Sequence, residues 1–271
     1  MRLLRNVRLL VLAATWVLSS LATPSAFGLV LDWDSVAWAN GSQNNSYDLN
    51  GNGTNDITVS MTAQNSNIWT NDPATGTLTP AVNQSLDGGV TGQNSLMIAA
   101  NLKTNSNLTV QISFFGSYPG ANNVSFTIFD IDVTTNSDII DSIYGLAPDG
   151  SHIAPTITNT GSTVDLTGSA LTQTLSGNAA AANNTSNGNA TISFGSTIIT
   201  SVFFTFSNTA GAPRYQDIAL GDISFSPVPE INPAVASGVS CIAAFALTIF
   251  LRRRAAATAK PLPARVPTGR E

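Results

Sequence analysis

Val124–Ser125–Phe126–Thr127–Ile128–Phe129–Asp130–Ile131–Asp132 is the stretch from which the fold is read. From Val124 to Ile128 apolar and polar side chains alternate, the two-residue period of a strand that buries one face. A helix would need its apolar residues three and four apart, so this run excludes one. The same alternation recurs upstream in Leu108–Thr109–Val110–Gln111–Ile112 and Ile57–Thr58–Val59–Ser60–Met61. Downstream it returns in Thr156–Ile157–Thr158, in Thr191–Ile192–Ser193–Phe194, and in the runs from Ile198 to Phe206 and from Ile218 to Phe225. Gly, Asn, Asp and Pro separate these runs. Short β-branched and aromatic segments punctuated by turn formers predict an all-β fold, an antiparallel β-sandwich. The Asn-, Gly- and Ser-rich stretches 40–55, 71–92 and 176–189 read as loops or long hairpin connections, and residues 178–182 as loop rather than helix. None of them reads as a linker between two cores, so residues 29–226 are expected to form one domain.

The formal charge of the whole chain, −5, hides an uneven distribution. Of 11 Lys and Arg, 3 precede residue 10 and 6 follow residue 251, which leaves Lys103 and Arg214 between them. Residues 29–226 carry 14 Asp and no Glu, a formal charge of −12. Such a surface repels nucleic-acid backbones and anionic lipids and attracts cations, so nucleic acid is not an expected partner. The segment has no cysteine, and a domain of roughly 200 residues buries enough core to do without disulfides. The single cysteine, Cys241, lies in an apolar run near the C-terminus and reads as a small apolar residue there.

The two ends read as targeting segments. Arg2, Arg5 and Arg8 precede an apolar run from Leu9 to Leu21, and Ala26–Phe27–Gly28 puts small residues at positions −3 and −1 of a cut before Leu29. This is the three-part pattern of a secretory signal peptide, residues 1–28. Residues 234–251 carry no charge, and at 1.5 Å of rise per residue a helix of that length crosses the roughly 30 Å hydrocarbon core of a bilayer. Arg252, Arg253 and Arg254 follow directly and would hold that end of a transmembrane helix on the cytoplasmic side, with residues 255–271 as a cytoplasmic tail.

Val228–Pro229–Glu230, the apolar span and the Arg cluster, in that order within residues 227–254, resemble a PEP-CTERM sorting signal. The resemblance implies a processing enzyme of the exosortase type as partner and a cell whose envelope carries exopolysaccharide. This chain departs from the family pattern in having Ile231 where a second Pro is usual, and in continuing past the Arg cluster. Phe126–Thr127–Ile128–Phe129–Asp130–Ile131–Asp132 and Gln216 to Phe225 resemble a β-sandwich domain of bacterial secreted and surface proteins, which implies a jelly-roll-like sandwich and names no ligand.

The inventory of reactive groups argues against catalysis. Residues 29–226 contain one His, His152, no Cys and no Glu, and no Gly-x-Ser-x-Gly elbow precedes a helix. His152, in Asp149–Gly150–Ser151–His152–Ile153, reads as a solvated loop histidine. Glycoside hydrolysis needs a defined carboxylate pair, and nothing in the pattern picks out two of the Asp.

Two stretches are candidates for Ca²⁺. Asp48–Leu49–Asn50–Gly51–Asn52–Gly53–Thr54–Asn55–Asp56 has oxygen side chains at alternate positions and Gly at the sixth, like the first half of a calcium loop. Its twelfth position is Val59, where an EF-hand needs Glu, and a polar hairpin turn explains it as well. Asp130 and Asp132, in register with Phe126 and Ile128, would fall on the core face, where carboxylates need a partner. A calcium ion would serve, with Asp138, Asp141 or Asp222 as further ligands; otherwise the strand ends at Phe129 and the acids lie in solvent. Trp33, Trp38 and Trp69 belong to the core or to a sugar platform.

These readings converge on a non-catalytic exported protein of the cell surface or extracellular matrix, sorted through its tail and associated with exopolysaccharide or biofilm. The alternative is a carbohydrate-binding module with a structural calcium; a glycoside hydrolase is the weakest reading.

Overall fold

Val124 to Phe129 of the quoted run lie in β7 (Ala121–Phe129), in the middle of one of two antiparallel sheets. The structure is a computed structural model that describes residues 28–64, 68–103, 106–115, 120–133, 135–159 and 161–228. In this first sheet β13 (Ala190–Ser193) and β10 (Thr156–Asn159) lie on one side of β7. On the other side β15 (Arg214–Leu220) and β16 (Ile223–Pro227) follow one another along β7, with Leu220 opposite Ile128 and Ser224 opposite Ser125. β5 (Ser95–Leu102) and β4 (Ala81–Asn83) extend the sheet beyond β15, and β1 (Leu29–Leu31) lies beyond β16.

The second sheet runs in the order β11 (Val164–Thr167), β12 (Thr174–Gly177), β8 (Asp138–Leu146), β14 (Ser201–Asn208), β6 (Leu108–Phe114), β3 (Ile57–Ala63), β2 (Asn44–Tyr47). β9 (His152–Ile153) also pairs with β8.

The inward faces of both sheets close on one core. Val124, Phe126 and Ile128 of β7 pack with Val110 and Ile112 of β6 and with Phe204 and Phe206 of β14. Ring pairs span the two sheets: Phe126 stacks on Phe204 at 6.2 Å and Phe114 meets Phe225 at 5.0 Å. The architecture is therefore an antiparallel β-sandwich held by the alternating residues that announce it. Two short 3₁₀ turns, Ala170–Thr172 and Ser186–Gly188, lie in the connections between strands.

Several expectations need correction. The stretches 40–55 and 71–92 are not wholly loop, because β2 and β4 lie inside them as short sheet edges. The run from Ile218 to Phe225 is two strands, broken at Gly221–Asp222. The first sheet also buries part of its outer face: Met97, Ala99, Phe129, Ala219 and Leu86 form a second small cluster. That double burial explains why β5, read as Ser95–Leu96–Met97–Ile98–Ala99–Ala100–Asn101–Leu102, shows no alternation.

Residues 1–27 and 229–271 lie outside the described residues. With them lie the expected signal peptide, Pro229 and Glu230 of the sorting motif, the expected transmembrane helix 234–251, and Arg252, Arg253 and Arg254. Val228, the first residue of the motif, follows β16 directly, and its N–H donates to the Gly120 carbonyl at 3.1 Å. Among the described residues no helix is long and apolar enough to cross a membrane.

Candidate functional site

The outer face of the second sheet carries a row of stacked rings. In β14, Val202, Phe204 and Phe206 are buried in the core, which leaves Phe203 and Thr205 on the opposite face. Phe203 pairs with Tyr144 and Thr205 with Asp141, so Ser142 and Ile143 of β8 together oppose Phe204. This is a β-bulge, and Ser142 takes the left-handed conformation it needs, with φ of 52°. The extra residue brings Asp141 and Tyr144, three positions apart, onto one face while Ile140 and Ile143 both stay in the core.

Tyr144 stacks on Phe203 with ring centres 5.1 Å apart and on His152 at 4.2 Å, both at 18° between planes. Rings on neighbouring strands, about 4.8 Å apart, that stack face to face must stand upright on the sheet with their edges toward solvent. The row continues from Phe203 to Gln111 of β6, opposite it, then to Ser60 of β3 and Asn44 of β2. Hydroxyls flank it. Ser46 and Thr58 share a 2.6 Å hydrogen bond at the surface, the Gln111 side-chain amide donates to Ser113 Oγ at 2.9 Å, and beneath it Ser113 and Ser201, both buried, share a bond of 3.2 Å. Asp141 of β8 and, at the sheet edge, Asp165 of β11 put carboxylates on this face. The arrangement is an apolar strip beside a grid of hydroxyl and amide groups, suited to a ligand with C–H faces and many hydroxyls.

The Trp residues do not form a platform. Trp33 and Trp38 are core residues, in edge-to-face contact with ring centres 6.1 Å apart, and Trp69 is half-buried beside Ala100. His152 stands at the start of β9 in the ring row rather than free in a loop.

Asp130 and Asp132 are buried, but not where strand alternation places them. β7 ends at Phe129, and Asp130 turns the chain with φ of 65°. Ile131 then enters the main core, and the two acids lie on the other side, beside Asp217 of β15. Asp138, at the start of β8, joins them: its N–H donates to the Asp132 carbonyl at 3.0 Å, and the Asp132 N–H reaches Asp138 Oδ2 at 3.4 Å. Asp132 Oδ2 accepts from the Ala181 N–H at 2.8 Å. Burial, then the neighbouring Asp217 and Asp132, push the Asp130 carboxyl up to about 8. Burial raises the Asp217 carboxyl to about 6. Burial, then Asp132, hold Asp138 well above the usual carboxylate range.

The other acids named from sequence lie elsewhere. Asp141 is on the ring face, and Asp222 accepts from the Trp33 N–H at 3.0 Å and from Gln93 at 3.2 Å. In the loop from Asp48, the Asp48 carboxylate accepts from the N–H groups of Gly51, Asn52 and Gly53, and Asp56 accepts from Leu49 and Asn50. Asn50 and Asn52 turn their side-chain oxygens to the N–H groups of Asn52 and Thr54. The alternating oxygens thus serve a turn whose own N–H donors occupy them. Among the described residues no three acidic, histidine or cysteine side chains converge to hold a metal by themselves.

No family model matches the chain, and no curated protein matches it. Solved structures similar in fold include a carbohydrate-binding module described by its specific mannan recognition, 8% identical, covering 62% of this chain and 88% of its own, with a TM-score of 0.32. Another is the family 11 carbohydrate-binding module from Clostridium thermocellum in complex with a β-1,3-1,4-mixed-linked tetrasaccharide, 13% identical, covering 75% and 97%, TM-score 0.31. A third is the family 11 module of a cellulosomal cellulase of that organism, 11% identical, covering 77% and 99%, TM-score 0.27. Likeness at this level carries no argument about a ligand.

Proposed function

We propose that this chain is a non-catalytic exported protein of the cell surface or extracellular matrix whose jelly-roll-like sandwich holds a neutral polysaccharide on the outer face of its second sheet. The observation that carries the reading is the Phe203–Tyr144–His152 ring row bordered by Gln111, Ser60 and paired hydroxyls. The ring row offers apolar surface that a sugar's C–H groups can cover, and the hydroxyl and amide groups beside it take its hydroxyls. The charge of −12 over residues 29–226 disfavours a polyanionic polymer. The signal-peptide pattern and the PEP-CTERM-like tail support export, membrane attachment through residues 234–251, and processing by an exosortase-type enzyme at Val228, Pro229 and Glu230. Such a route delivers the sandwich to an exopolysaccharide or biofilm layer.

The test is electrophoretic retardation of the full-length chain, kept in mild detergent, in native gels cast with a neutral β-glucan, a mannan or polyanionic alginate. Retardation by a neutral polymer and none by alginate is expected, with loss of retardation in Tyr144→Ala. Migration unchanged in every neutral polymer contradicts the reading.

A further inference from the structure

Asp130, Asp132, Asp138 and Asp217 come from the end of β7, the start of β8 and the middle of β15, and they share one covered neighbourhood on the outer side of the first sheet. Asp130, Asp132 and Asp138 are 8%, 4% and 2% exposed. Every charged group that acts on Asp130 and Asp138 is another Asp. Buried carboxylates without a cation cost several kcal/mol each unless something compensates them. Hydrogen bonding inside the cluster falls short of that. Asp138 Oδ1 is buried with no donor, and Oδ2 has only the 3.4 Å approach of the Asp132 N–H.

The backbone around these acids is fixed closely. A Cβ on Gly177 would lie 2.0 Å from the Asp132 carbonyl oxygen, and one on Gly188 3.0 Å from Asp130 Cα. The Val133 N–H donates to the Ala179 carbonyl at 3.1 Å, and Ser137 Oγ to the Gly177 carbonyl at 2.7 Å. A chain held this tightly around an unpartnered carboxylate oxygen has the form of a ligand site.

We infer that Asp138 and Asp132 bind a Ca²⁺ ion, with Asp130 and Asp217 lending charge to the site. The ligand chemistry selects a hard cation: all four groups are carboxylates, and no histidine or cysteine takes part. Ca²⁺ accepts about six to eight oxygens in loose geometry, including backbone carbonyls and water, so it does not require three converged side chains. Mg²⁺ demands a tight octahedron and gives up its water reluctantly, and it is the weaker fit. The site is separate from the ring row and stands whether or not that face binds a polymer.

The test is isothermal titration of the EDTA-stripped full-length chain with CaCl₂, alongside melting curves with and without the ion. The expected result is one bound Ca²⁺ and a rise in Tm, both lost in Asp138→Asn and unchanged in Asp149→Asn, an exposed loop acid elsewhere. If Asp138→Asn does not fold, Asp130→Asn decides, since Asn tolerates the left-handed conformation at this position. Its Ca²⁺ affinity should fall about tenfold through the lost charge alone. Absence of binding at millimolar Ca²⁺ overturns the proposal. So does unchanged affinity in Asp138→Asn or, should that variant not fold, in Asp130→Asn. A chain that is instead stabilised by protonation, losing Tm as pH rises through about 8 and indifferent to Ca²⁺, overturns it as well.

Discussion

The Trp33 indole Nε1 donates a 2.9 Å hydrogen bond to the carbonyl of Gly221, 188 positions later in the chain. This bond sits at the break between β15 and β16, where Asp222 also accepts from the Trp33 N–H. The turn that follows β1 thus closes the gap left by the last two strands. Trp33 is 1% exposed and packs against Trp38 and Tyr47, so it joins the polar closure to the core. Trp33→Phe should cost about 1–3 kcal/mol by leaving the buried Gly221 carbonyl without its donor. Trp33→Ala should cost about 3–5 kcal/mol because it also opens a cavity. Denaturant unfolding of both variants checks the order; a negligible loss in Trp33→Phe would mean that the hydrogen bond contributes nothing, and equal losses that the cavity adds nothing.

Gly177 and Gly51 separate two reasons for glycine. A Cβ at Gly177 would lie 2.0 Å from backbone oxygen, whereas nothing lies within 4 Å of one at Gly51, where φ is +72°. Gly51→Ala should therefore cost only the left-handed strain, about 1–2 kcal/mol. Gly177→Ala should cost more than this, since backbone must shift, and it should lower the yield of folded protein. Thermal melts of the pair provide the comparison.

Asp72 should set part of the acid limb of stability. Burial pushes its carboxyl up, but hydrogen bonds from Ser85 and Thr75 at 2.7 Å and from the Ala74 N–H at 2.8 Å bring it below its ordinary value. The folded chain then binds this proton less readily than the unfolded chain. The stability so gained is fully present above about pH 4 and is lost as pH falls through the lowered folded value. Asp72→Asn should cost about 1.5–3 kcal/mol at pH 7 and progressively less toward pH 2, measured as Tm against pH. A pH-independent loss would contradict this account.

Phe203→Ala should weaken polymer binding about tenfold, or about 1.4 kcal/mol, with little loss of stability because its ring lies outside the core. Phe204→Ala, one position on and 1% exposed, should destabilise the fold by about 3–5 kcal/mol. Affinity electrophoresis and melting curves on both variants distinguish the two faces of β14.

Much of the sandwich was legible in sequence, because β3, β6, β7 and β14 bury one face and so alternate. What was not legible has physical causes. β5 is buried on both faces, so Met97 and Ala99 erase its period. β8 escapes because the bulge at Ser142 shifts its phase, and that shift hides Tyr144 as a surface ring. Phe203 did leave a signal, an aromatic out of phase between Val202 and Phe204. Asp130 and Asp132 read as a continuation of the strand on its core face, but the left-handed turn at Asp130 puts them, buried, on the far side of the sheet. Asp217 was visible only as part of a strand, since nothing local marks its approach to Asp130.

The most direct test of the central claim is hydroxyl-radical footprinting of the full-length chain with and without the neutral polymer that retards it. The account predicts protection at Tyr144, His152 and Phe203, and no change at the exposed Phe115. Protection confined to the loops, with the three rings oxidised equally in both states, would show that the polymer lies elsewhere and that the outer face of the second sheet is not the binding surface.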